Sequence, residues 1–216
     1  MRIYAVADIH GKTEKIARIL EVILRNTPDI LVIAGDISNY FSPLKTLDQL
    51  KNIPIPILCI RGNSDLKRVE GLLQNQENTT LLNHIPVTYQ NSPFLGLNGT
   101  IPLPFASKIC FKEAQRLDGI KYNITPQTIL VVHPPPRGVC DKVGNRFSAG
   151  SFQLKTLIEK HPPLMVLCGH IHEQAGYQFF KNILVVNCAM NKTYSGAIID
   201  YCKNKPLKIK MVINGA

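Results

Sequence analysis

No two of the six cysteines in this chain stand in a C-x-x-C pair. Scattered at Cys59, Cys110, Cys140, Cys168, Cys188 and Cys202, they outline neither a disulfide framework nor a structural zinc knuckle. Cys59, Cys168 and Cys188 lie in or beside apolar runs, where a reduced thiol behaves as a small buried hydrophobe. No apolar run approaches the roughly 20 residues that span a bilayer, so no membrane contact is expected. A charged leader with an apolar core and a small-residue cleavage site is also missing, and the chain is expected in the cytoplasm. Repeats, linkers and low-complexity tracts are absent too. With 216 residues, 45% of them hydrophobic and 19% charged, one folded domain over residues 1–216 is the expectation.

Acidic residues are in short supply. Fifteen Asp and Glu stand against 25 Lys and Arg, a net charge of +10. A basic chain draws anions, which suits a small phosphorylated substrate and leaves nucleic acid as a less favoured partner. No aromatic–basic stacking platform accompanies the charge, and 216 residues leave little room for a separate nucleic-acid-binding domain. The closing segment Lys203-Asn204-Lys205-Pro206-Leu207-Lys208-Ile209-Lys210 alternates lysine with apolar residues, as an edge strand protected by its lysines does.

What the chain does have is a repeated pattern of apolar strands ending in polar groups. Ile3-Tyr4-Ala5-Val6-Ala7 runs into Asp8-Ile9-His10-Gly11, and Asp29-Ile30-Leu31-Val32-Ile33-Ala34 into Gly35-Asp36. Pro56-Ile57-Leu58-Cys59-Ile60 is followed by Arg61-Gly62-Asn63-Ser64-Asp65. Between the first two, Ile16, Ile19, Leu20, Ile23 and Leu24 recur at helical spacing and predict a helix from residue 12 or 13 to Thr27-Pro28. A second helix is predicted over residues 43–51. Successive strand–helix units argue for parallel pairing with right-handed crossovers.

Residues 71–108 are turn-rich, with strand patches at 87–89 and 94–97 and a loop around Pro102-Leu103-Pro104. Residues 109–117 read as helical. Thr128-Ile129-Leu130-Val131-Val132 then ends at His133, a long loop covers 134–150, and a helix is predicted over 151–160. Leu164-Met165-Val166-Leu167-Cys168 ends at Gly169-His170-Ile171-His172, and four further strands are predicted around 177–180, 183–186, 197–201 and 207–212. The whole reads as two strand–helix halves forming stacked sheets.

Five apolar strands thus end in Asp8/His10, Asp36, Asn63, His133 and His170/His172, which take in four of the six histidines. Any one of these is an ordinary cap or turn former. All five together are not, and mixed carboxylate and imidazole donors suit a divalent metal. In an extended segment residues two apart point to one side, so Asp8 with His10, and His170 with His172, are expected to share a site. His84 and His161 are expected on the surface or in loops.

The order D-x-H, G-D, G-N-x-D, H and G-H-x-H, spread over residues 8–172, resembles the calcineurin-like metallophosphoesterase family, in its small uncapped bacterial and archaeal form. The resemblance implies a four-layer α-β-β-α sandwich and a dinuclear-metal-dependent phosphoesterase, more a phosphodiesterase than a monoesterase. It implies that Asp8, His10, Asp36 and His172 hold one ion, and that Asp36 bridges to a second held by Asn63, His133 and His170. Asp36, Asn63 and His133 would also act in catalysis. The ions would be two of Mn, Fe, Ni, Co or Zn. Two cations a few Å apart can orient a phosphoryl group, neutralise its developing charge and activate a shared water. A nuclease and a binding scaffold with little activity are the alternatives.

The chain departs from the family at Ser64, where many relatives carry a histidine that assists the leaving group. A serine cannot deliver a proton near neutral pH as an imidazolium can. Ser64 is therefore expected only to touch substrate, with Ser64→Ala costing little, and Asp65 only to steady the turn or cap the next helix. Arg137, Lys142 and Arg146, in the long loop after His133, are the basic residues expected over the site.

Overall fold

Uninterrupted runs of aliphatic residues make strands that can be buried on both faces. In the computed structural model, which describes residues 1–39, 43–98, 117, 119–144 and 146–215, the opening third of the chain uses them in that way. Strands β1 (Arg2–Val6), β2 (Ile30–Ala34) and β3 (Ile57–Ile60) pair in parallel, Ala5 opposite Val32 and Val32 opposite Leu58. Helices α1 (Thr13–Asn26) and α2 (Pro43–Leu50) connect them. Ile16, Ile19, Val22 and Ile23 bury one face of α1, which ends at Thr27 in the left-handed region, where the following proline disfavours a further helical turn.

One more unit repeats this pattern: α3 (Arg68–Gln74) leads to β4 (Thr79–Leu81), parallel to β3. Only Val69 and Leu73 of α3 are buried, so its apolar periodicity is too sparse to stand out in the sequence. Strands β5 (Val87–Tyr89) and β6 (Ser92–Gly96) form a hairpin, and β6 runs parallel to β7 (Ile129–Val131). The loop after His133 holds a small hairpin, β8 (Lys142–Val143) with β9 (Phe147–Ser148). Ser151 then caps α4 (Phe152–Lys160), its Oγ accepting from Leu154 N at 2.9 Å.

Strand β10 (Met165–Cys168) lies between β7 and the later strand β12 (Ile183–Asn187), with β11 (Gly176–Phe180) outside β12. Finally β13 (Tyr194–Asp200) and β14 (Lys208–Ile213) return to the first sheet. The two six-stranded sheets run β14-β13-β1-β2-β3-β4 and β11-β12-β10-β7-β6-β5. Of the lysine-alternating segment 203–210, only Lys208–Lys210 belong to the edge strand β14, and residues 203–207 form the turn that leads into it.

Strand alternation sorts the side chains into layers. Tyr4, Val6, Leu31, Ile33 and Cys59 face α1–α3. Ile3, Ala5, Ile30, Val32 and Leu58 face the other way, against Phe94, Ile129, Val131, Leu167 and Val186 of the second sheet. Leu130, Val166 and Val185 turn outward onto Leu154, Leu157 and Ile158 of α4. The result is a four-layer α-β-β-α sandwich. The predicted helix over residues 109–117 and the loop at 102–104 fall outside the described residues, apart from the buried, helical Leu117. Cys59, Cys140, Cys168 and Cys188 are buried free thiols, and Cys202 is exposed.

Candidate metal centre

Every strand that was expected to present a polar group does so at its carboxyl end, and both sheets present theirs at one end of the sandwich. The sheets touch there: Ala7, just past β1, bridges to Ala189, just past β12, with Ala7 N donating to Cys188 O at 3.0 Å. The loops after β1 and β2 are tied together by Asp8 N to Gly35 O at 3.1 Å and His10 N to Asp36 O at 2.9 Å.

Convergence does not come from strand alternation. β1 has ended at Val6, and Asp8, His10, Asp36 and His170 have φ of 61°, 54°, 53° and 71°. Each is a non-glycine residue in the left-handed region, at a cost of about 1 kcal/mol. His172 opens a 3-10 turn rather than continuing an extended segment. Asp8 and His10 do share a site, but tight turns after the strand put them there.

Asp8 is fully buried, and its Oδ1 lies 3.1 Å from His172 Nε2, 3.8 Å from His10 Nε2 and 4.0 Å from His133 Nε2. Asp36 Oδ2 stands 3.3 Å from His133 Nε2 and 3.8 Å from His10 Nε2, between the two imidazoles. Asp8, His10 and His172, and likewise Asp8, Asp36 and His133, each bring their donor atoms within 4.8 Å of one another. The His170 ring packs edge-on against His133 at 5.1 Å, and its backbone N–H donates to Asp8 Oδ2 at 2.9 Å. Asn63 is exposed, at the tip of a turn whose neighbours Gly62 and Ser64 both contact Asp36. A Cβ at Gly62 would collide with the Asp36 carboxylate, and one at Gly169 would lie 2.6 Å from Asp8 Oδ2. Both positions require glycine for that reason.

Of the four buried side-chain polar atoms without a hydrogen-bond partner among the described residues, two, Asp8 Oδ1 and His133 Nε2, lie in this cluster. Both point into the gap between the imidazoles. Unsatisfied buried groups are rare, and a hard oxygen and a ring nitrogen facing one gap fit a divalent cation. His133 Nδ1 lies 2.8 Å from Ala34 O, which fixes the ring and leaves Nε2 free to bind.

The electrostatics follow from burial against charge. Burial would raise the Asp36 carboxyl, yet His133 and Ser64 hold it well below the usual carboxylate range. Burial would likewise raise Asp8, and His172 and His133 bring it down. Burial opposes charge on His133 as well, but Asp36 and Asp8 outweigh it and push the imidazolium up to about 9. His10 and His170, in contrast, are lowered, chiefly by burial.

Ser64 does more than its position in the motif suggested. Its backbone N–H donates to Asp36 Oδ1 at 2.8 Å and its Oγ to Oδ2 at 2.7 Å, so it clamps both oxygens of one carboxylate. Asp65 is buried and does not cap α3. Its Oδ1 accepts from Ser38 N and Oγ at 2.7 and 2.8 Å, and its Oδ2 from Ile37 N and Gly62 N at 3.1 and 3.0 Å. It therefore pins the Asp36 loop to the Asn63 loop. Arg137 is half-buried, and its Nη1 donates to Ser148 O at 3.1 Å, bracing the β8–β9 hairpin. Lys142 and Arg146 are exposed on that hairpin, and Gly144 N binds Glu173 Oε2 at 2.8 Å, next to His172. His84 is exposed and His161 follows α4, both away from the cluster.

A sandwich of these four layers, with polar loops gathered at the joined ends of its two sheets, has the fold of a metallophosphoesterase. The chain belongs to the calcineurin-like phosphoesterase family, whose model matches residues 1–174. It is 25% identical over 197 residues to the uncharacterized protein MJ1162 of Methanocaldococcus jannaschii, a match covering 87% of each chain. It is 27% identical over 97 residues to the phosphodiesterase YfcE of Escherichia coli, covering 41% of this chain and 47% of that one. Among solved structures, a dimetal phosphatase from Danio rerio superposes with a TM-score of 0.70 at 11% identity, over 98% of this chain and 95% of the other. Among the described residues, no helix is long and apolar enough to cross a membrane.

Proposed function

We propose that the chain is a single-domain, dinuclear-metal-dependent phosphodiesterase acting on small phosphorylated substrates. The observation that carries this is the pair of buried, unpartnered atoms, Asp8 Oδ1 and His133 Nε2, facing the same gap. Family membership and the partial match to a phosphodiesterase support it.

In this reading Asp8, His10, Asp36 and His172 would hold one ion, and Asp36, Asn63, His133 and His170 the other. The ions supply Lewis-acid stabilisation of the phosphoryl charge and an activated water. The residues of the chain set the geometry. Asp36 stands between His10 and His133, where a carboxylate can serve both ions, and Ser64 fixes its two oxygens. Ala34 O holds the ring of His133 in place through Nδ1. No residue at position 64 delivers a proton, so leaving groups that depart as stable anions are favoured over alkoxides.

The test is metal content together with a leaving-group series. The purified protein should bind two divalent ions per chain and cleave bis-aryl diesters much faster than alkyl monoesters. Its rate should depend steeply on leaving-group pKa. Asp36→Asn should weaken both ions, whereas His172→Ala should mainly affect one. Two ions and full activity in Asp36→Asn would remove the bridging role, and a flat leaving-group series would remove the reading of position 64.

A further inference from the structure

A cavity of about 550 Å3 adjoins His10 and His172, opening along the start of α1 and the turn between β12 and β13. Four cations line it, Lys12, Lys15, Arg18 and Lys192, against one carboxylate, Glu14. Two of the four are already engaged. Lys15 Nζ donates to the carbonyls of Asp8 and Met190, and Arg18 reaches Glu21 and Ile213 O. Lys12 and Lys192 are exposed and, among the described residues, enter no ion pair.

The turn that carries Lys192 is built to hold its shape. Asn191 Nδ2 donates to His172 O at 2.7 Å, and Asn191 Oδ1 accepts from Thr193 N and Tyr194 N at 2.8 and 2.7 Å. From beneath, Asn214 Nδ2 donates to Asn191 O and Lys192 O at 2.9 and 3.0 Å. The base of Lys192 is therefore fixed relative to the backbone of His172, and Lys12 follows His10 by two residues. Two unpaired ammonium groups, on separate elements with anchored backbones, face one concavity that begins at the metal cluster.

We propose that this cavity is a subsite for a second phosphate of the substrate, a phosphodiester whose organic part carries a further phosphate group on the His10/His172 side. The proposal rests on the phosphodiesterase reading for the place of the scissile phosphate. Positive charges that outnumber the acids around a cleft are relieved by an anion, and a low-dielectric wall strengthens the attraction. The cleft is open to solvent, its size is that of a small-ligand pocket, and its two free lysines match a compact anion. Met190 and Tyr194 supply an apolar side for the organic part between the two phosphates.

The direct experiment is calorimetric titration of inorganic pyrophosphate into chelator-treated protein, with no divalent ion present. Wild type should bind one pyrophosphate per chain. Lys12→Ala and Lys192→Ala should each weaken binding about fivefold, and Lys192→Arg should keep most of it. No binding, or binding indifferent to both lysines, overturns the proposal. A single-stranded oligonucleotide that binds more tightly than pyrophosphate through the same lysines overturns it in favour of a nucleic-acid groove.

The metal-loaded enzyme provides a second arm, using two aryl diesters that differ by one terminal phosphate. Wild type should prefer the phosphorylated one in kcat/KM, and the double alanine variant should bring that ratio toward one. Turnover of neither diester with any metal would defeat the phosphodiesterase reading, while pyrophosphate binding would still decide the subsite.

Discussion

Ser64 shows how one side chain can change its task while the motif around it stays the same. Its short hydroxyl reaches back 2.7 Å to Asp36. The expectation that Ser64→Ala costs little therefore gives way to another. Removing Oγ frees one oxygen of the proposed bridging carboxylate, and a hydrogen bond to a charged group contributes about 1.5–3 kcal/mol. Ser64→Ala should weaken divalent-metal binding about tenfold, measured by competition with a chelating dye, and Ser64→Thr should restore it. Wild-type affinity in the alanine variant would show that the hydroxyl does not hold Asp36.

His133 supplies the pH dependence. Its pKa is raised from an ordinary 6.5 to about 9, so the folded, metal-free protein holds this proton more tightly than the unfolded chain. The stability this contributes is fully present below about pH 6.5 and is lost as pH rises through about 9. Chelated protein should therefore lose melting temperature across that interval. His133 Nε2 would have to give up this proton to hold a cation, so metal-loaded protein should show no such decline, and metal uptake should release protons below about pH 9. Parallel melting curves for the two forms from pH 6.5 to 9 would contradict this assignment.

At the scale of elements, loops do the work of convergence. Asp65 satisfies three backbone N–H groups from two loops, those of Ile37, Ser38 and Gly62. Asp65→Ala leaves them buried and unpaired, and should lower the free energy of unfolding by about 3 kcal/mol. Chemical denaturation of chelated protein would measure this apart from any effect of metal. Asp65→Asn retains one acceptor oxygen and should cost less.

What the sequence disclosed and what it concealed divide along the same line. Ile30–Ala34 and Met165–Cys168 are continuous apolar runs bounded by turn residues, and such strands announce themselves. The candidate site residues could be named from the polar groups that end those runs. Their left-handed backbone, the clamp from Ser64 and the buried role of Asp65 depend on contacts between loops about 30 residues apart, which local pattern does not register. Arg137 was placed by its charge, but its hydrogen bond is to a carbonyl of its own loop. Lys192, within the proposed subsite, lies in a turn without any motif, and only the pairing of Asn191 with the His172 carbonyl reveals its position.

For the molecule as a whole, the candidate ligands come from both sheets: Asp8, His10, Asp36 and Asn63 from the first, His133, His170 and His172 from the second. A cation bound among them joins the two halves of the sandwich, and ligand binding to the native state alone raises stability by mass action. Adding a divalent ion to chelated protein should raise its melting temperature in a concentration-dependent way, by more in wild type than in His172→Ala. An equal rise in both would mean the ion binds elsewhere.

Strand order in the first sheet carries a consequence for assembly. β1 lies between β2 and β13, so the earliest strand has an open flank until Tyr194–Asp200 reaches it. Closing a loop that long is entropically costly and slow. A nascent or truncated chain ending before residue 194 would hold its own metal motifs, residues 8–172, beside an exposed hydrophobic edge. Strand edges of that kind invite pairing between molecules. Arrival of the two latest strands is thus what separates a chain that merely has all its candidate ligands from one whose first strand is paired on both flanks.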